Sequence, residues 1–219
     1  MKKSLFLTVA TLLIFLCGCS APIINESEEY LPTEDIALVQ PQIEIYYQYP
    51  EYPAGCELAS LCQVLRSYGY DVNIADLLNK YISVSNTDWV YSYYGDIYNG
   101  GFTFPPAICD TALRYLVDNY SRLQVTDISG VSWERCVNVL NHGIPLIVWY
   151  TIDYESPRWY QVSQEGYQPW VNLHCVVIYD IDDEYVYIAD PIEGYTTQEI
   201  DKFKNIWIEC GRYAVLIAP

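Results

Sequence analysis

Residues 48–60 read Gln48-Tyr49-Pro50-Glu51-Tyr52-Pro53-Ala54-Gly55-Cys56-Glu57-Leu58-Ala59-Ser60. Two prolines forbid a helix through the first half of this stretch. From Cys56 onward the pattern changes: Leu58, Leu61, Cys62 and Leu65 share one helical face, and Gly69 stands where a C-cap glycine belongs. The reading is a turn-rich loop that delivers a cysteine into the first turn of a helix spanning Cys56 to Tyr68. That position matters chemically. The N–H dipoles at a helix start favour a thiolate, and a neighbouring imidazolium would favour it further.

Working outward, Asn73 and Asp76 have the spacing of a capping pair for a helix from Ile74 to Tyr81. Further helices are predicted from Pro106 to about Asn119 and from Trp133 to Asn141, the latter with Ser132 as N-cap. Four β-branched and aromatic runs then predict strands: Leu146 to Thr151, His174 to Ile181, Glu184 to Ala189, and Tyr213 to Ile217. Helices first and strands later predict an α+β fold. Upstream, Ile43 to Tyr47 alternates like a short strand. Between the second and third helices, Ser83 to Thr103 holds Trp89, Tyr91, Tyr93, Tyr94, Tyr98 and Phe102, which predicts a binding loop or groove wall.

The chain has 219 residues, enough for one ordinary domain plus a leader. Its formal charge of -17 opposes binding to nucleic acid or anionic headgroups. Met1-Lys2-Lys3 followed by the apolar run Leu5 to Leu16 reads as a signal peptide over residues 1–18. Leu16-Cys17-Gly18-Cys19 resembles the lipobox of bacterial lipoproteins, with Cys19 as the lipid-bearing residue; an ordinary secretory cut near Ala21 is the alternative. Residues 19–42 then form a tether, and 43–219 the folded domain. The expectation is an extracytoplasmic protein held to the cell membrane by acyl chains alone.

Only two histidines exist. His142 falls at a helix end, where the dipole explains it without chemistry. His174 opens a strand, and Asp190 stands at the end of the next one, so a hairpin would bring them together. With Cys56 they make a candidate nucleophile, base and orienting acid, and the Gln48 amide with the Cys56 backbone N–H could supply oxyanion donors. Cys56, Cys62, Cys109, Cys136, Cys175 and Cys210 are six cysteines beyond Cys19, an even number that leaves disulfide pairing open. No C-x-x-C occurs, so a metal site is not expected, and the chemistry requires no cofactor.

The 48–60 block, His174-Cys175-Val176-Val177 and Ala189-Asp190-Pro191 together resemble the C39-like peptidases, bacterial relatives of the papain fold. The likeness runs from about Ile43 to the end, where Phe203 to Trp207 and Gly211 to Val215 resemble that family's closing helix and strand. It implies a papain-like fold, an N-terminal helical part packed on a C-terminal antiparallel sheet. It implies Cys56 as nucleophile, His174 as base and acid, Asp190 as orienting residue and Gln48 in the oxyanion hole. The function so implied is a cysteine peptidase or amidohydrolase acting on a peptide or amide substrate through an acyl-enzyme. The competing expectation is a catalytically silent surface lipoprotein that keeps the groove for binding.

Overall fold

Residues 42–219 are described by the structure, a computed structural model. The leader, Cys19 and the tether as far as residue 41 lie outside the described residues. Helix α1 (Cys56–Ser67) forms where the apolar spacing requires it, with ten of its residues buried, and ends at Gly69, whose φ of +87° suits glycine. Asn73 caps α2 (Ile74–Asp76) by accepting from the Asp76 N–H at 2.9 Å, while its amide returns to the Asp76 carboxylate at 2.8 Å. This segment continues as one π-helical turn, Leu77–Tyr81, rather than as regular α-helix. Helices α3 (Pro105–Asp118) and α4 (Trp133–Asn141) lie within a residue of their predicted ends, with the Ser132 hydroxyl capping α4.

The aromatic segment, expected as a binding loop or groove wall, is not an irregular loop. It folds into a small sheet of β1 (Val84–Ser85), β2 (Tyr93–Asp96) and β3 (Gly100–Phe102). Tyr93 is buried, and the Trp89, Tyr94 and Phe102 rings pack edge-on or tilted against one another and on to buried Phe104. Only Tyr91 and Tyr98 of this group stand exposed. Apolar burial outweighs display for most of these rings.

The main sheet has six antiparallel strands in the order β4-β9-β5-β6-β7-β8. Its members are β4 (Gln124–Asp127), β5 (Leu146–Thr151), β6 (Leu173–Ile181), β7 (Tyr185–Asp190), β8 (Gly194–Glu199) and β9 (Ala214–Ala218). Both edge strands, β4 and β8, lie outside the predicted set: each is polar and half exposed, as edges are, so neither carries a hydrophobic run. Ile43–Tyr47, predicted as a strand, has no regular secondary structure and pairs with no strand among the described residues. It lies instead against the β7–β8 hairpin, where the Tyr195 hydroxyl donates to the Ile43 carbonyl at 2.7 Å. Helix α1 packs on β6 and β5, and α5 (Ile200–Glu209) on β5, β7 and β8, with Phe203 stacked on Tyr150 at 4.5 Å. The core thus runs between helices and sheet, as an α+β fold requires.

Candidate active site

Gly55 precedes the site, and a side chain there would come within 3.0 Å of the Tyr52 carbonyl oxygen and closer still to its Cβ. Glycine is what lets the loop turn directly into α1, and it puts Cys56 at the first helical position with one of the amides that a helix start leaves unpaired. The thiol is 7% exposed. Its hydrogen bond runs to Oε2 of the next residue, Glu57, at 3.3 Å. Burial first, and then the Glu57 charge, push the Cys56 thiol well above its usual value.

His174 begins the buried part of β6, opposite Tyr150 on β5. Its Nε2 meets both Asp190 oxygens at 3.0 Å, with both side chains 1% exposed. Asp190 closes β7 and is held by more than the histidine: it accepts from the Tyr154 hydroxyl at 2.8 Å and from the Ile192 and Glu193 N–H groups at 2.7 and 3.2 Å. Burial alone would raise its pKa. The His174 hydrogen bond and charge, the Ile192 N–H and the Tyr154 hydroxyl override that and hold it at about 2. A carboxylate on Nε2 leaves Nδ1 as the ring nitrogen available for proton transfer. Among the described residues no hydrogen bond joins Cys56 to His174; the thiol is turned to Glu57.

Gln48 is brought to this neighbourhood by the backbone: its N–H donates to the Pro191 carbonyl at 3.0 Å, next to Asp190. Its side-chain Nε2 donates to the Pro53 carbonyl at 2.7 Å, and its buried Oε1 has no hydrogen-bond partner. One amide hydrogen is thereby used in shaping the loop and the second is left for another acceptor. His142 sits apart at the end of α4, exposed, with Nδ1 2.8 Å from the Asn138 carbonyl. All six cysteines of the described residues are free thiols. Among the described residues no group of three or more His, Cys, Asp and Glu is placed to hold a metal ion.

Sequence reasoning missed two residues of the site. Tyr154 lies in an irregular segment after β5, with no periodicity to mark it. Glu57 had a signal available: a carboxylate on the helix face that carries Leu58 and Leu61 into the core must be buried, and a buried carboxylate needs partners.

Residues 40–215 match the Peptidase_C39 like family. The chain belongs to that family. It is 28% identical over 180 residues, 77% of this chain and 70% of the relative, to the uncharacterized protein YvpB of Bacillus subtilis. Among solved structures it is similar to a Bacillus anthracis protein assigned as a C39-like peptidase, with a TM-score of 0.72 and 23% identity over 82% of this chain and 96% of that one. It is also similar to the peptidase domain of Streptococcus ComA, a bifunctional ABC transporter of a quorum-sensing pathway. There the TM-score is 0.51 at 17% identity, over 81% of this chain and 99% of that domain. At such identities the structural likeness establishes the papain-like fold of the C39-like family and nothing finer.

Proposed function

We propose that this protein is a cysteine peptidase or amidohydrolase that acts through an acyl-enzyme on Cys56. The observation that carries the reading is the buried His174–Asp190 pair at 3.0 Å, on a chain that also begins a buried helix with a cysteine. In the reaction the thiol proton moves from Cys56 Sγ to His174 Nδ1, and sulfur attacks the carbonyl carbon. The Cys56 N–H and the free Gln48 amide hydrogen face the oxyanion that forms. His174 returns the proton to the leaving amine, and water, deprotonated by the same ring, releases the acyl group. Asp190 stabilises the imidazolium and fixes its tautomer, with Tyr154 positioning the carboxylate.

The protein works outside the cytoplasm, anchored through a lipid on Cys19, and meets the membrane through that lipid alone. Its substrate is a peptide or another amide. The second reading is a binding lipoprotein without catalysis, and one observation favours it: the Cys56 thiol is hydrogen-bonded to a carboxylate and held protonated. A thiol-directed active-site probe separates the two. Labelling confined to Cys56 and abolished by His174→Ala supports the enzyme, whereas no labelling of Cys56 leaves the binding protein.

A further inference from the structure

Glu57 is a titratable group at the site that the acyl-transfer steps leave unused. It is fully buried in the first turn of α1. Oε1 accepts the Thr103 backbone N–H at 2.9 Å, from the segment between β3 and α3. Oε2 touches the sulfur of Cys56 at 3.3 Å. The other groups that face it are its own N–H from α1, His174 and Cys175 from β6, and Tyr93 from β2. Of these, the N–H groups, the thiol of Cys56 and a protonated His174 favour the carboxylate, while burial opposes it and prevails, so the carboxyl is pushed up to about 6. A negative charge in contact with Cys56 Sγ opposes a second negative charge on that sulfur.

We propose that Glu57 is a further catalytic residue, which as a carboxylate keeps the proton on Cys56 and as a carboxylic acid donates to the sulfur and admits the thiolate. The inference rests on the reading of Cys56 as nucleophile. The protons balance as follows: Glu57 Oε2 takes one proton from solvent, the Sγ proton passes to His174 Nδ1, and the Glu57 O–H turns to the sulfur lone pair. No electrons are transferred and no co-reactant is required. The site then carries one negative charge fewer at the moment the thiolate–imidazolium pair forms. Reactivity of Cys56 therefore falls as pH rises through about 6, where an ordinary thiol gains reactivity.

The test is the rate of Cys56 alkylation by iodoacetamide between about pH 5 and pH 8, read by peptide mass spectrometry on the full chain in detergent, for the wild type and for Glu57→Gln. Glutamine keeps an oxygen for the Thr103 N–H and presents N–H to the sulfur at every pH, so it mimics the acid. The expected ratio of variant to wild-type rate is about one at the acid end and about tenfold or more at the alkaline end. A ratio that stays flat, with Cys56 still labelled, overturns the role of Glu57 and leaves the nucleophile standing. Failure of Cys56 to label in either protein overturns both. Should Glu57→Gln not fold, the wild type decides alone: a fall in rate through about pH 6 supports the proposal, and a steady rise across the range overturns it.

Discussion

Two buried carboxyls of the site titrate in opposite directions, and the stability of the fold records both. Asp190 is held at about 2, below its ordinary 3.8, so its contribution is full above 3.8 and is lost as pH falls towards 2. Glu57 is raised from 4.5 to about 6, so the folded state holds its proton more tightly. That advantage is full below 4.5 and is lost as pH rises to 6. Each shift corresponds to about 2 kcal/mol. Thermal unfolding followed by circular dichroism should show greatest stability between the two windows. Asp190→Asn should flatten the acid flank, and Glu57→Gln the fall on the neutral side. A stability curve unchanged by either substitution would contradict the partners assigned to these carboxyls. In turnover, Cys56→Ala should abolish covalent chemistry and His174→Ala should be nearly as severe. Asp190→Asn should cost less than either, and Gln48→Ala about a hundred- to a thousand-fold, with substrate binding kept.

At the scale of elements, helix α1 places Cys56, and it is fastened along its buried face and at its C-terminal end by different means. Along its buried face the Ser60 hydroxyl donates to the Cys175 carbonyl at 3.1 Å and the Gln63 amide to the Ala189 carbonyl at 3.3 Å. These bonds tie the helix to the strands that carry His174 and Asp190. Its C-terminal end depends on Gly69, where the Gly69 N–H reaches the Arg66 carbonyl at 2.8 Å and φ is +87°. A methyl group at that glycine would meet no atom within 4 Å, so the whole penalty of Gly69→Ala is conformational. The expected loss is about 1 kcal/mol, read as a lower urea midpoint at unchanged slope. Alkylation of Cys56 should be unaffected, because the substitution lies at the far end of the helix. The β7–β8 hairpin has a comparable fastening: the N–H of Gln48 on the Pro191 carbonyl holds the loop before α1 beside Asp190.

For the whole molecule, the six described cysteines are unpaired, which makes the fold independent of disulfides despite the proposed extracytoplasmic setting. A reducing agent should therefore leave the thermal midpoint of the domain unchanged, and a large downward shift would reveal a bridge. Anchoring is tested by Cys19→Ser, which should move the protein from the detergent phase to the aqueous phase without altering its circular dichroism. Much of this was legible in the chain itself. Wherever an element carries a continuous apolar run, as β5 and β6 do, or an apolar stripe at helical spacing, as α1 and α4 do, that pattern declares it, and local rules of capping declare the ends. Cys56, His174 and Asp190 were legible as candidates because each stands at or beside the end of an element, whereas Gln48 lies in the loop before α1. Tertiary structure alone decided the rest. The edge strands β4 and β8 have no hydrophobic period, so only pairing with β9 and β7 makes them strands. The aromatic segment could be a display loop or a packed wall until its neighbours were in place. The partner of the Cys56 thiol was likewise a matter of three-dimensional placement. Whether a buried sulfur meets an imidazole or a carboxylate depends on ångström-scale positions of side chains that no local propensity encodes, and here it meets Glu57.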